Sequence, residues 1–220
     1  MSMGILLLIA AGILILLGLA QQVLDRLYLS DKQALLFLGA MVVGSYINIP
    51  LSRGTSPVSV NLGGAVLPVG LAIYVFSRAG SKKEVTRGTV GVLITALAIY
   101  GISKLYFFDT YAGIVEPQYI WGIVAGVTAY LLGRSRRLAF IGATLGILVA
   151  DIAHAVEAAV RGIDSPTRIG GAGVFDTLVL AGIIAVLLAE VVGETRERIQ
   201  GGPGQAPESP EELSEDREGE

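Results

Sequence analysis

Seven long apolar runs constrain this chain of 220 residues more than any other feature. They extend roughly over Met3 to Val23, Gln33 to Ile49, Val58 to Ser77, Thr89 to Phe107, Tyr119 to Gly133, Leu138 to Val160 and Ile169 to Val192. A helix needs about 20 mostly apolar residues to cross a bilayer, and all but the fifth run approach or exceed that length. Hydrophobic residues make up 53% of the chain and charged ones 16%, against roughly 25% charged in a soluble domain. The expected fold is an all-α polytopic transmembrane helix bundle of about seven spans. The first run has no basic residues before it and no small-x-small cleavage site ahead of Asp25, so it reads as a retained helix and not a signal peptide.

The segments between the runs carry the turn residues and the charges. Twelve bases lie in alternate loops and the C-terminal segment: Arg26, Lys32, Arg78, Lys82, Lys83, Arg87, Arg134, Arg136, Arg137, Arg196, Arg198 and Arg217. The opposite side holds Arg53, Arg161 and Arg168, with Lys104 near the outer end of the fourth span. Basic loops stay in the cytoplasm, which puts the N-terminus outside, the C-terminus inside and the protein in the cell membrane.

Charge also divides the chain in two. Residues 1–193 form the membrane domain, with a net charge of +3. Residues 194–220 hold nine acids and three arginines, with Pro203, Pro207 and Pro210 among them. So acidic and apolar-poor a segment cannot bury enough surface to fold, and a disordered cytoplasmic tail is expected. With no Cys and a single His, thiol chemistry and a multi-His metal site are excluded; no metal and no cofactor is expected. Nothing in the charge pattern points to nucleic acid.

Two segments echo each other. Arg53-Gly54-Thr55-Ser56-Pro57 precedes Gly63-Gly64-Ala65, and Arg161-Gly162-Ile163-Asp164-Ser165-Pro166 precedes Gly170-Gly171-Ala172. Both follow an outward-going span and lead into an inward-going one, as in a parallel repeat, and binding sites often lie at repeat interfaces. Shared turn chemistry explains the echo equally well.

Ionisable residues deep in a span are costly and mark functional sites. Asp151 and His154 lie in the sixth span and Asp176 in the seventh; Asn48 and Asn61 are uncharged companions in the second and third. At about 1.5 Å of rise per residue, both aspartates fall about 10 Å from the outer face of a roughly 30 Å core. His154 follows Asp151 by three residues and shares its helix face, and Glu157 continues that line outward as a mouth residue. Five polar side chains at one depth predict a single cavity. A packing role remains open for Asn48 and Asn61. The glycine-rich helix starts at Gly63, Gly64, Gly170, Gly171 and Gly173 offer backbone N–H groups to an anion.

Two adjacent carboxyls share one proton, so one can act as general base on water and the other as general acid on a carbonyl. Gly170-Gly171-Ala172-Gly173-Val174-Phe175-Asp176 resembles the Gly-x-Gly-Asp signature of presenilins and signal peptide peptidases, whose aspartates also stand on consecutive helices. In that family Asp directly follows the second Gly, whereas Val174 and Phe175 intervene here; its Tyr-Asp is Ala150-Asp151, and Leu67-Pro68-Val69 stands where Pro-Ala-Leu is expected. The resemblance implies an intramembrane aspartyl protease with Asp151 and Asp176 as its catalytic pair.

A second resemblance spans more of the chain. Tyr46-Ile47-Asn48-Ile49-Pro50-Leu51, Val60-Asn61-Leu62-Gly63-Gly64-Ala65-Val66-Leu67-Pro68 and Ile169 through Asp176 are similar to the hallmark stretches of a prokaryotic membrane family, domain of unknown function 1614. This implies a multi-pass fold and no particular activity. The competing classes are a proton- or ion-coupled small-molecule transporter, which would use the same His and carboxylates as a relay, and a non-catalytic membrane scaffold. The implied partners are the lipid bilayer and either a transmembrane peptide or a small-molecule substrate. The sequence does not set the oligomeric state.

Overall fold

The computed structural model describes residues 27–53, 56–105, 117–173 and 176–199. The first expected span, Gly54 and Thr55 of the first echo segment, Val174 and Phe175, and tail residues 200–220 lie outside the described residues. The fold is mostly helical. In chain order it contains α1 (Asp31–Gly44), β1 (Asn48–Pro50), β2 (Val58–Asn61), one π-helical turn (Leu62–Val66), α2 (Leu67–Ser77), α3 (Lys82–Leu105), α4 (Pro117–Gly133), α5 (Arg136–Arg161), β3 (Thr167–Ile169) and α6 (Thr177–Ile199). Contacts divide the chain into two compact units, before and after Ala189, and the bundle described here lies in the first. In the second, α6 continues to Ile199, past the expected boundary at residue 193.

Local chemistry sets several of these ends. Ser30 and Gln33 form a reciprocal capping box at the start of α1, which satisfies two donors of the first turn. Ser135 accepts from the Leu138 N–H at the start of α5, and Gly162, at φ +63°, closes that helix; the left-handed conformation is cheap only for glycine. Pro68 sits in the first turn of α2, where its missing N–H has no partner to lose.

Two described helices are long and apolar enough to cross a membrane by length and composition, over Lys82–Lys104 and Arg136–Arg161. The other apolar helices are shorter: Lys32–Gly44, Leu62–Ser77, Ile120–Gly133 and Thr177–Gly193. Here the structure corrects the sequence reading. The runs Gln33 to Ile49, Val58 to Ser77 and Ile169 to Val192 are only partly helical, and their outer portions form a three-stranded sheet of order β1-β2-β3. Apolarity alone does not separate a short strand from a helix. What separates them here is Pro50, which cannot continue a helix, and Gly170 and Gly173, which hold φ of +70° and +64°.

The sheet joins the two echo segments. β1 pairs antiparallel with β2, and β2 pairs parallel with β3, Val58 opposite Thr167, Ser59 opposite Arg168 and Val60 opposite Ile169. Thr167 donates its N–H to Pro57 O at 2.9 Å, and the Ser56 hydroxyl donates to Ile163 O at 2.7 Å. Each strand thus follows its own Ser-Pro in the same register.

The helices pack through small residues. Ala125, Ala129, Ala139, Ala143, Ala150, Ala181 and Ala185 are fully buried. A Cβ on Gly126 would stand 2.7 Å from Ile184 Cγ2, and one on Gly146 the same distance from Thr95 Cβ. Bulky apolar side chains face outward instead: Val90, Leu93, Ile94 and Leu97 on α3, Ile123, Val127 and Leu131 on α4, and Val149, Ile152, Val156 and Val160 on α5. Their spacing of three and four residues draws an exposed stripe along each helix.

At the Arg136 end of α5, Tyr28 ties four segments together. Arg78 and Arg137 lie 5.7 and 5.4 Å from its ring centroid, Tyr74 packs edge-on at 6.5 Å, and Arg137 pairs with Glu84 at 3.5 Å. These cationic contacts on an aromatic face add to the packing.

Candidate functional site

A cavity of about 280 Å³ opens toward the Arg161 end of α5, lined by Ile99, Ser103, Trp121, Ile147, Asp151, His154, Arg168, Asp176 and Thr177. Asp151 and His154 enter it from α5, Ser103 from α3, Trp121 from α4, Arg168 from β3, and Asp176 from the turn before α6. The two aspartates expected at one level therefore face a common space.

Their surroundings differ. Asp176 is the cap of α6: its Oδ1 accepts from the Leu178 N–H at 3.1 Å and its Oδ2 from the Ala172 N–H at 3.2 Å. One carboxylate thus holds both the first turn of α6 and the glycine turn before it, as capping carboxylates do. The carboxyl of Asp151 makes no hydrogen bond or ion pair among the described residues and faces the cavity, two-thirds of the way along α5.

His154 does not pair with Asp151. Its Nε2 lies 3.0 Å from Ser103 Oγ, and its ring lies over that of Tyr100 with centroids 4.8 Å apart. Ser103 donates its hydroxyl proton to Tyr100 O at 2.7 Å, which leaves Oγ to accept from an Nε2–H tautomer. Glu157, expected at the mouth, is instead the hub of an ion cluster: it pairs with Lys104, meets Arg161 at 3.0 Å and accepts from the Tyr100 hydroxyl at 2.8 Å. Lys104, read from sequence as lying near the end of its apolar run, is part of this cluster. No three of His, Asp and Glu gather as metal ligands among the described residues.

Asn48 and Asn61 are corrected. Neither lines the cavity; they face each other across the β1–β2 hairpin. Asn61 Nδ2 donates to Asn48 Oδ1 at 3.0 Å and to Ser45 O at 2.8 Å, while its Oδ1 accepts from the Gly64 N–H at 2.8 Å. Asn61 therefore caps the π-helical turn from a fully buried position. Helical counting misplaced both because the backbone there is extended, with more than twice the rise per residue.

The glycines form a close-packed knot and leave little room for an anion. A Cβ on Gly63 would strike Met41 O, and one on Gly64 would strike Gly170 O. A Cβ on Gly171 would meet Arg168 Cβ at 2.7 Å, and one on Gly173 would meet Ser45 Oγ at 2.5 Å. The N–H groups of Gly64, Gly171, Ala172 and Gly173 are already taken, by Asn61, Arg168 O, Asp176 and Gly170 O. These glycines set backbone spacing, and the carboxylate of Asp176 occupies the anion's place.

Arg168, Ser103, Trp121 and Thr177 were not picked out by sequence. Arg168 sat in a loop by hydropathy, and only its strand register with Ser59 turns it to the cavity edge. A signal for Ser103 was present: it is a polar residue in the outer turn of the same span as Lys104.

A family model described as "Protein of unknown function (DUF1614)" matches residues 25–188. Neither a curated protein nor a solved structure matches the chain.

Proposed function

We propose a function for a chain that belongs to the DUF1614 family, and argue it from geometry because the family's description carries no activity. The protein is a multi-pass protein of the cell membrane with about seven membrane passages, N-terminus outside, and its cavity is a two-aspartate hydrolytic site. The packing supports the membrane setting. Alanine and glycine let the helices approach closely around buried Ile141, Ile147 and Leu178, while other leucine, isoleucine and valine side chains face out in stripes. Close approach through small residues is how helices pack in lipid, and exposed apolar stripes of this extent are rare on soluble monomers. The orientation is supported by Tyr28, Arg78 and Arg137 meeting at one end of α5, with Glu157 and Arg161 some 30 Å away by helix rise.

The single observation that carries the hydrolytic reading is that Asp151, from α5, and Asp176, from the turn that opens α6, line one cavity. Asp176, held by two backbone N–H groups, takes a proton from water as the water oxygen attacks an amide carbonyl carbon. Asp151, with no partner of its own, donates a proton to the carbonyl oxygen. Collapse of the tetrahedral gem-diol breaks the C–N bond: one of its hydroxyls returns a proton to Asp151 as the carbonyl re-forms, and the proton gained by Asp176 passes to the leaving nitrogen, which restores both carboxyls. This is the acid–base division of two paired carboxyls, and the substrate class is a transmembrane peptide.

The test is photolabelling of the purified full chain with a hydroxyethylene peptide isostere, which mimics the tetrahedral state. Labelling that Asp151→Asn and Asp176→Asn each abolish supports the proposal. Labelling unchanged in both variants overturns it.

A second reading, proton-coupled transport, is favoured by the parallel pairing of the two echo segments. Its readout is pH-driven proton flux into proteoliposomes, lost in Asp151→Asn.

A further inference from the structure

A second cavity of about 280 Å³ shares Arg168 with the first and is lined by Pro50, Ser52, Arg53, Pro57, Val58, Ser59, Pro166, Thr167 and Arg168. It is built almost wholly from the two echo segments, brought together by the Val58–Thr167 register and the Ser56–Ile163 hydrogen bond. We propose that this cavity binds a phosphate group, carried either by a lipid headgroup or by a free phosphate ion.

The chemistry of the lining carries the inference. Two arginines line the cavity and no carboxylate does. Among the described residues neither the Arg53 nor the Arg168 guanidinium has an ion-pair or hydrogen-bond partner. Unpaired guanidiniums sharing one concave space repel each other, and the arrangement is favourable once an anion sits between them. The planar five-donor fork of arginine matches a tetrahedral oxyanion better than any other side chain does. Ser59, opposite Arg168 in the strand register and so on its face of the sheet, adds a hydroxyl that can donate to the same oxygens.

The frame is pre-organised. Pro50, Pro57 and Pro166 fix three backbone angles around the cavity. Ser52 is held by its Oγ, which accepts from the Val58 N–H at 3.1 Å. Binding energy is therefore not spent on fixing these positions. This site is separate from the aspartate pair, although Arg168 borders both cavities; Arg53 borders only this one.

The experiment uses the full chain purified in a neutral detergent, with two probes: inorganic phosphate by titration calorimetry, and phosphatidylglycerol retention from nanodiscs of phosphatidylcholine with or without phosphatidylglycerol. Wild type is expected to bind at least one probe, more weakly as salt rises, and Arg53→Gln to lower that binding at least 5-fold. Arg53→Lys keeps the charge, loses the fork and is expected to fall between; it also guards against misfolding of the Gln variant. Binding of phosphate alone assigns a free-ion site, retention of phosphatidylglycerol alone assigns a lipid site, and both together assign recognition of the phosphate itself. If wild type binds neither probe, or if Arg53→Gln and Arg53→Lys bind as wild type does, the proposal is overturned.

Discussion

Asn61 donates from its carboxamide to Asn48 Oδ1 at 3.0 Å while its own oxygen takes the Gly64 N–H at 2.8 Å. One fully buried side chain thus closes a hairpin and starts a helix. Replacing it leaves the Gly64 amide without its side-chain acceptor in the interior. Asn61→Leu is expected to lower stability by roughly 2–4 kcal/mol, and Asn48→Ala by about 1 kcal/mol. Thermal unfolding in detergent measures both, and equal effects would refute the assignment of Asn61 as the hub.

The two aspartates separate on stability. Asp176 caps α6 and braces the glycine turn, so Asp176→Ala is expected to cost about 1–2 kcal/mol. Asp151 has no bond to lose, and Asp151→Asn is expected to stay within about 0.5 kcal/mol of wild type. Denaturation curves of the two variants, measured alongside the isostere labelling, distinguish lost chemistry from a lost fold.

Glycines on the helices divide by what surrounds them. A Cβ at Gly126 would lie 2.7 Å from Ile184 Cγ2 and 3.1 Å from Ala185 N, so Gly126→Ala is expected to destabilise by about 1–3 kcal/mol. At Gly101 nothing lies within 4 Å, and Gly101→Ala is expected to be neutral or to gain up to about 1 kcal/mol from helix propensity. The difference in melting temperature between the two variants is the readout, and its reversal would contradict the packing of α4 against α6.

Thr95 and Thr144 bury hydroxyls that find no partner among the described residues. A buried hydroxyl without a hydrogen bond is a cost. Thr144→Val keeps the shape and removes that cost, so a gain of up to about 1 kcal/mol is expected; a loss of stability would mean that the hydroxyl is bonded in the membrane.

Much of this was legible in the sequence. The apolar runs located the helices, including the two long ones at Lys82–Lys104 and Arg136–Arg161, and the cost of buried charge picked out Asp151, His154 and Asp176, which share one cavity. The Ser-Pro echo is realised as a strand pair. The sheet itself was hidden, because Asn48 and Asn61 are placed by a hairpin inside runs read as helical, and Arg168 by pairing with Ser59, 109 positions away, a distance that a local reading of periodicity does not see across. Glu157 was misread for a related reason: its partner Lys104 comes from another helix.

The register of Val58 with Thr167 has a consequence for biosynthesis. A ribosome that has delivered α1 through α5 has made Asp151 and Arg53 but neither Arg168 nor Asp176. Each cavity stays half-built until the last strand docks against one laid down 109 residues earlier. Such a long-range closure is slow compared with helix formation. The nascent chain therefore carries an open strand edge until β3 has been made, and a product truncated before β3 would lack Arg168 and Asp176 and with them the complete lining of either cavity.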